Sequence, residues 1–207
     1  MKVLLVNGSP NEKGCTYTAL NEIAVTLEKE GIESEIFWVG KKAISGCIAC
    51  RTCREKGKCV FDDVVNEFNE KAYNADGFVF GSPVYYASAN GTLMSFMDRA
   101  FYSAKPGTYY LKPGAAVTSA RRAGTTATLD EINKYFQISQ MPVISSSYWN
   151  MVHGGCAEDV LKDEEGLHTM RTLARNMAWF LKIKEAGIKS GIAFPKTEDK
   201  IFTNFIR

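Results

Sequence analysis

Four of the chain's six cysteines fall within "GCIACRTCREKGKC", Gly46 to Cys59, with two, two and five residues between successive thiols. Thiolates are soft metal ligands, and the short spacings bring Cys47, Cys50 and Cys53 around one centre, which the longer return allows Cys59 to close. Three occupancies suit such a set. An iron–sulfur cluster of the 4Fe-4S type takes four cysteines, often from one tight run. A zinc ion is also satisfied by four thiolates, although structural zinc sites more often use two C-x-x-C arms set further apart. Without metal, the same residues would pack beneath a loop as small apolar side chains or form stray disulfides. No proline follows the fourth cysteine, so this is not the bacterial ferredoxin run. The charged "REKGK" before Cys59 needs solvent, which places any metal centre near the surface, suited to exchanging electrons with a partner. Cys156, after "HGG", is too distant in sequence to join by spacing and reads as structural.

A second stretch, "NGSPNEKGCTYT" from Asn7 to Thr18, is rich in hydroxyls and leads from an apolar run into a helical pattern. The hydroxyls of Ser9, Thr16 and Thr18, with backbone N–H groups around Gly14 to Thr16, would surround an anion at a helix N-terminus. The glycine spacing fits neither a Walker A loop nor the G-x-G-x-x-G fingerprint. A loop of neutral donors without the triphosphate-grasping lysine suits a monophosphate; the plain alternative is a strand-to-helix turn capped by Thr16 or Ser9.

These stretches need a frame to hold them. Apolar runs at Lys2–Asn7, Glu33–Val39, Gly77–Ser82, Gly114–Ser119 and Met141–Ser146 read as five strands, continuous enough to be covered on both faces as in a parallel sheet. Helical periodicity fills the intervals: Thr16–Glu30, Asp62–Tyr73, Thr92–Ala104, a helix around Leu129–Phe136, and Glu165–Ala186 stopped by Gly187. Strict alternation of strand and helix predicts a doubly wound α/β fold with helices on both faces. The 207 residues read as one domain, with a cysteine-rich insertion at about 40–61 and a C-terminal extension from about 187. Ligands of such folds bind at the carboxyl ends of strands, so the loops after strands one, three and four carry the interest.

Strand three ends in "GSPVYYASANGTLMSFMDR" and strand four in "VTSARRAGTT". Together with the first loop, these motifs resemble the flavodoxin-like NADPH-dependent FMN reductase family, and the cysteine run is similar to its iron-sulfur flavoprotein branch. The resemblance covers Met1 to about Ala186. It implies a flavodoxin-like five-stranded sheet and FMN as cofactor. The matching positions for the phosphate are Ser9, Asn11, Gly14, Cys15, Thr16 and Thr18. For the isoalloxazine ring they are Pro83, Val84, Tyr85 and Tyr86, and Thr118, Ser119, Ala120 and Gly124 close over the ring's other end. Cys15 stands where the family usually has Asn or Ser, and a thiol is a weak donor. The resemblance implies an enzyme that takes hydride from NAD(P)H and passes electrons to a cluster or an acceptor, assembled as a homodimer or homotetramer; the alternatives are a non-catalytic flavodoxin-like electron carrier or a zinc-stabilised α/β interaction module. Arg121 or Arg122 would meet negative charge on the reduced ring or on the nicotinamide cofactor's phosphate. Asn150 or His153, in "SSSYWNMVHGG" beside Tyr148 and Trp149, would either reach the flavin pocket or a neighbouring subunit, or simply pack at the sheet edge.

The remaining bounds are negative. With 25 basic and 23 acidic residues scattered along the chain, no basic stripe suggests nucleic acid. No apolar run approaches a signal-peptide core or the ~20 residues of a membrane span, so a cytoplasmic protein with a small-molecule or protein redox partner is expected.

Overall fold

The computed structural model describes residues 1–199, 201–203 and 205. Its strands are β1 (Lys2–Asn7), β2 (Glu33–Trp38), β3 (Gly77–Tyr85), β4 (Ser88–Ala89), β5 (Gly114–Ala120) and β6 (Met151–His153). Five of them form a parallel sheet in the order β2-β1-β3-β5-β6, and β4 folds back antiparallel on the end of β3. With the hairpin set aside, this is the strand order of flavodoxin-type sheets. The helices are α1 (Cys15–Lys29), α2 (Thr52–Lys56), α3 (Val64–Tyr73), α4 (Gly91–Ser103), α5 (Thr125–Ile138), α6 (Ala157–Val160) and α7 (Glu164–Lys189).

Alternate residues of the central strands point to opposite faces, and each face meets its own helices. Val3, Leu5, Val79 and Val117 pack under α1 and α7 through Leu20, Ile23, Leu27, Met170, Leu173 and Met177. Leu4, Val6, Phe78 and Phe80 pack under α3, α4 and α5 through Phe68, Phe96 and Phe136. Phe68 lies at the heart of this second layer, with ring centroids 5.2 Å from Phe37, 5.0 Å from Phe96 and 6.0 Å from Phe80.

Three sequence expectations are corrected. The sheet has six strands rather than five, because β3 overruns its apolar segment and pairs with β4. The expected fifth strand, Met141–Ser146, meets β5 only through a bridge between Val143 and Gly114. There the Gly114 N–H donates to the Pro142 carbonyl and the Ile144 N–H to the Gly114 carbonyl, each at 2.9 Å. The chain then loops out and returns as β6 beside Thr118–Ala120. Asn150 bridges the interruption: its side-chain Nδ2 donates to the Ala116 carbonyl at 3.1 Å, and its own carbonyl accepts the Thr118 N–H at 2.9 Å. Last, α7 runs through Gly187 to Lys189, and left-handed Gly191 (φ 87°) follows its C-cap Ser190, so the extension begins about three residues later than expected. The cysteine-rich insertion holds the short helix α2. Among the described residues no helix is long and apolar enough to cross a membrane.

Candidate functional site

Beyond Asn7 the chain leaves the sheet at Gly8, where no side chain fits. A Cβ there would lie 2.8 Å from Leu93 and 2.9 Å from the carbonyl oxygen of Gly81, the same oxygen that accepts the Gly8 N–H at 2.9 Å. Asn7 shapes the next turn, accepting the Ser9 N–H on Oδ1 and donating Nδ2 to the Glu12 carbonyl. Trp38, at the end of β2, donates its indole N–H to the Ser9 carbonyl at 2.8 Å. Ser9 is buried; its hydroxyl accepts the Asn11 N–H at 3.1 Å, which leaves the hydroxyl hydrogen to donate elsewhere. The loop enters α1 at Gly14 with no side-chain cap, so the first-turn N–H groups of Cys15, Thr16 and Tyr17 remain open with the positive end of the helix dipole behind them.

The predicted phosphate residues therefore divide. Ser9, Gly14 and the backbone of Cys15 and Thr16 offer donors at this seat, while Asn11 sits exposed at the loop's tip. The Thr16 hydroxyl instead bonds Ser119 Oγ at 2.9 Å, joining the first loop to the end of β5. Thr18 donates back to the Gly14 carbonyl at 3.2 Å. The Cys15 thiol turns to the Gly154 carbonyl, 3.7 Å away, where burial, reinforced by the nearby Asp159 and Glu158 carboxylates, pushes it up.

At the end of β3, Tyr85 pairs with Ser88 across the turn Tyr86–Ala87. Both turn residues are left-handed, with φ of 52° and 58°, the primed geometry that hairpins favour. For non-glycine residues that geometry costs about 1–3 kcal/mol each, so something must hold it. Glu131 of α5 does: its carboxylate accepts the Ser88 hydroxyl and the Ala89 N–H, each at 2.8 Å. Ser82 closes the base, accepting the Asn90 N–H at 2.9 Å and donating to the Pro83 carbonyl at 2.8 Å. The outcome is a rim on which Val84 and Pro83 are half-buried, Tyr85 is exposed and Tyr86 stands fully in solvent.

The loop after β5 abuts this hairpin. Gly124 (φ 92°) is so close that a Cβ would lie 2.6 Å from the Ala87 Cα and 2.8 Å from Val84. It begins α5, again without a side-chain cap. By contrast α3, α4 and α7 are capped by Asp63, Asn90 and Asp163. Near the end of β5, the hydroxyl of the fully buried Thr118 has no hydrogen-bond partner among the described residues. Leaving it unmade costs about 1–3 kcal/mol. Arg121 and Arg122 lie exposed between β5 and α5.

In the cysteine segment, Ala49 and Arg51 are left-handed (φ 54° and 63°) and coil the chain tightly on either side of Cys50. Cys47, Cys50, Cys53 and Cys59 line one small cavity together with Phe61, Arg99 and Tyr102. Cys47 and Cys50 are exposed, Cys53 and Cys59 half-buried. Hydrogen bonds from the Thr52 hydroxyl and N–H hold the Cys50 thiol below its ordinary range. Burial pushes Cys53 up, and the neighbouring Cys59, Cys50 and Cys47 add to it. Among the described residues no three side chains of metal-binding type converge on a single ion; the four thiols stand around the cavity wall. Cys156 lies apart, exposed at the start of α6.

The loops after β1, β3 and β5 thus meet at the carboxyl edge of the sheet, and a match to known families covers all three. The family model for NADPH-dependent FMN reductase aligns with residues 1–155. The chain belongs to that family. An iron-sulfur flavoprotein of Methanocaldococcus jannaschii is 33% identical over 190 residues, covering 88% of this chain and 98% of that protein. Among solved structures, RosB, with bound 8-demethyl-8-formylriboflavin-5'-phosphate as an intermediate, superposes with a TM-score of 0.73 at 14% identity over 100% of this chain and 94% of the other. A flavodoxin from the domain Archaea superposes at 0.61 with 16% identity, over 88% and 99%. Family membership makes the chain an oxidoreductase, and its fold is flavodoxin-like.

Several residues that shape these sites carry no motif. Trp38 acts through one tertiary hydrogen bond and Glu131 through its bonds to Ser88 and Ala89, none of which a local pattern announces. Arg99 was more accessible: it sits three residues after Phe96 and four before Ser103, on the buried face of α4. Asn150 and His153, expected either to reach the flavin pocket or a neighbouring subunit or to pack at the sheet edge, both make backbone-supporting contacts at that edge. Asn150 is spent on the sheet, and the His153 N–H donates to Asp163 at 2.6 Å. Tyr148 and Trp149 pack edge to face, centroids 4.6 Å apart, and are exposed. Glu131→Ala should release the strained turn, destabilising the protein by about 1.5–3 kcal/mol, the range for a hydrogen bond to a charged group. Urea unfolding and faster chymotryptic cleavage at Tyr85 or Tyr86 would record it.

Proposed function

We propose that the chain binds FMN along the carboxyl edge of its sheet, holds a 4Fe-4S cluster on the cysteine segment, and moves electrons from NAD(P)H to a small-molecule or protein acceptor, as a homodimer or homotetramer. One observation carries the flavin reading. The helices that follow β1 and β5 open uncapped at the same sheet edge, where the buried Thr118 hydroxyl also lacks a partner among the described residues. Such a cradle suits a ligand with an anionic end and a polar ring.

The residues present fit this ligand. Ser9 and the first-turn N–H groups of α1 would hold the phosphate with neutral donors and the helix dipole. Pro83, Val84, Tyr85 and Tyr86 would form the flat wall against the ring, with Thr118, Ala120 and Gly124 at its polar end. When bound, FMN supplies the hydride acceptance and the one- or two-electron release. The chain's part is binding and electrostatics: the open N-terminus of α5 favours negative charge placed against it. Cys47, Cys50, Cys53 and Cys59 would supply the thiolates, and four thiols spread around a wall suit a cluster in which each iron takes one.

The visible spectrum of protein purified without oxygen, with iron, sulfide and zinc analysis, tests both parts. Flavin bands overlaid by broad iron–sulfur absorption are expected, along with NADPH oxidation in the presence of an artificial acceptor. Colourless protein would refute the flavin reading, and zinc in place of iron the cluster. Cys50→Ser should lose the iron and keep the FMN; a full iron complement in that variant rules out the ligand set.

A further inference from the structure

The four thiols are not held alike. Cys47 and Cys50 are exposed on a coil, and Cys53 has a long contact of 3.9 Å to the Tyr102 carbonyl. Cys59 is clamped. Asn66 accepts the Cys59 N–H at 2.9 Å and donates to the carbonyls of Cys59 at 3.1 Å and Phe61 at 3.0 Å, fixing the backbone at three points. Arg99, 1% exposed, fixes the side chain by donating its Nε–H to Cys59 Sγ at 3.3 Å.

The rest of the guanidinium is already satisfied. Its two terminal nitrogens donate as a fork to the two Asp63 oxygens at 2.8 Å each, with longer contacts to the Ser45 and Phe61 carbonyls, and its Cζ lies 4.7 Å from the Phe61 ring centre. Nε therefore has one task, and its acceptor is sulfur. A neutral thiol is a weak acceptor, a poor return for a buried charged donor. A metal-bound thiolate carries negative charge and makes that bond a charge-assisted one.

We infer that Arg99 is a positioning residue that makes Cys59 the anchored corner of the cysteine set and, through its N–H···S bond, raises the reduction potential of a cluster held there. The inference rests on the cluster reading above. One-electron reduction adds negative charge to a cluster and its thiolates and breaks no bond, so a fixed donor to one sulfur favours the reduced form. Asp63 balances the arginine's charge, which leaves the directional hydrogen bond as the tuning element.

The test variant is Asp63→Asn/Arg99→Met, which removes both charges together and keeps a capping residue at the start of α3. Iron is measured first in the parent; its absence there would sink the cluster reading and this role with it. With iron present, circular dichroism should show the variant folded and analysis should find its FMN and iron retained. Titration with dithionite, followed by the cluster's electron paramagnetic resonance signal, should give a midpoint about 59 mV lower, a tenfold shift toward the oxidised form. The flavin midpoint should stay unchanged. An unmoved cluster midpoint in the fully loaded variant would overturn the assignment.

Discussion

Gly124→Val should raise the dissociation constant for FMN about thirtyfold or more while the parallel sheet stays folded. A β-branched residue in the left-handed region costs about 1–2 kcal/mol, and its Cβ would be driven to 2.6 Å from the Ala87 Cα. Overpacking of that kind adds about 1–3 kcal/mol. The opposing surface cannot slip aside, because it is the backbone of a hairpin turn pinned by Glu131. The start of α5 must move instead, taking with it the open N-terminus and the loop from Ala120. At about 1.4 kcal/mol per tenfold, even 2 kcal/mol of displacement accounts for the loss. Fluorescence titration of FMN with apoprotein measures it, with circular dichroism as the folding control. A dissociation constant within threefold of the parent would mean that α5 does not border the flavin. Gly124→Ala should fall between the two.

The sheet's central strands were legible because Val3–Val6, Phe78–Phe80 and Ala115–Val117 are apolar on both faces, a pattern that only two covering layers explain. The fifth strand was not. Its apolar run begins Met141-Pro142, and the pairing that matters is made by three residues further on, after a loop-out that Asn150 repairs with a side-chain hydrogen bond. A side chain replacing a ladder bond leaves no periodic trace. The same holds for the site. Hydroxyl-rich loops at strand ends located the cradle, yet they could not show that Thr16 bonds Ser119 or that Thr18 bonds its own helix. Those are decisions of rotamer and tertiary contact. Spacing grouped the four cysteines, which line one cavity, while the asymmetry among them comes from Asn66 and Arg99, which lie seven and forty residues away from Cys59.

That asymmetry has a stability consequence. Arg99→Ala should cost about 3 kcal/mol, the lower end of the range for breaking a buried ion pair from one side, because Asp63 is 35% exposed and water takes up part of its charge. For a chain of this size each kcal/mol lowers the melting temperature by about 2–4 °C, so a fall near 10 °C is expected. The loss has three sources in the structure: Asp63 without its fork, the Phe61 ring without its cation, and an empty space where a fully buried side chain stood. Removing both charges by Asp63→Asn/Arg99→Met should cost less than half as much, since methionine refills the space and no charge is stranded. Urea unfolding of the three proteins separates the cases. If the single variant lost less than about 1 kcal/mol, water would be replacing the arginine, and the Cys59 corner would be held by Asn66 through the backbone.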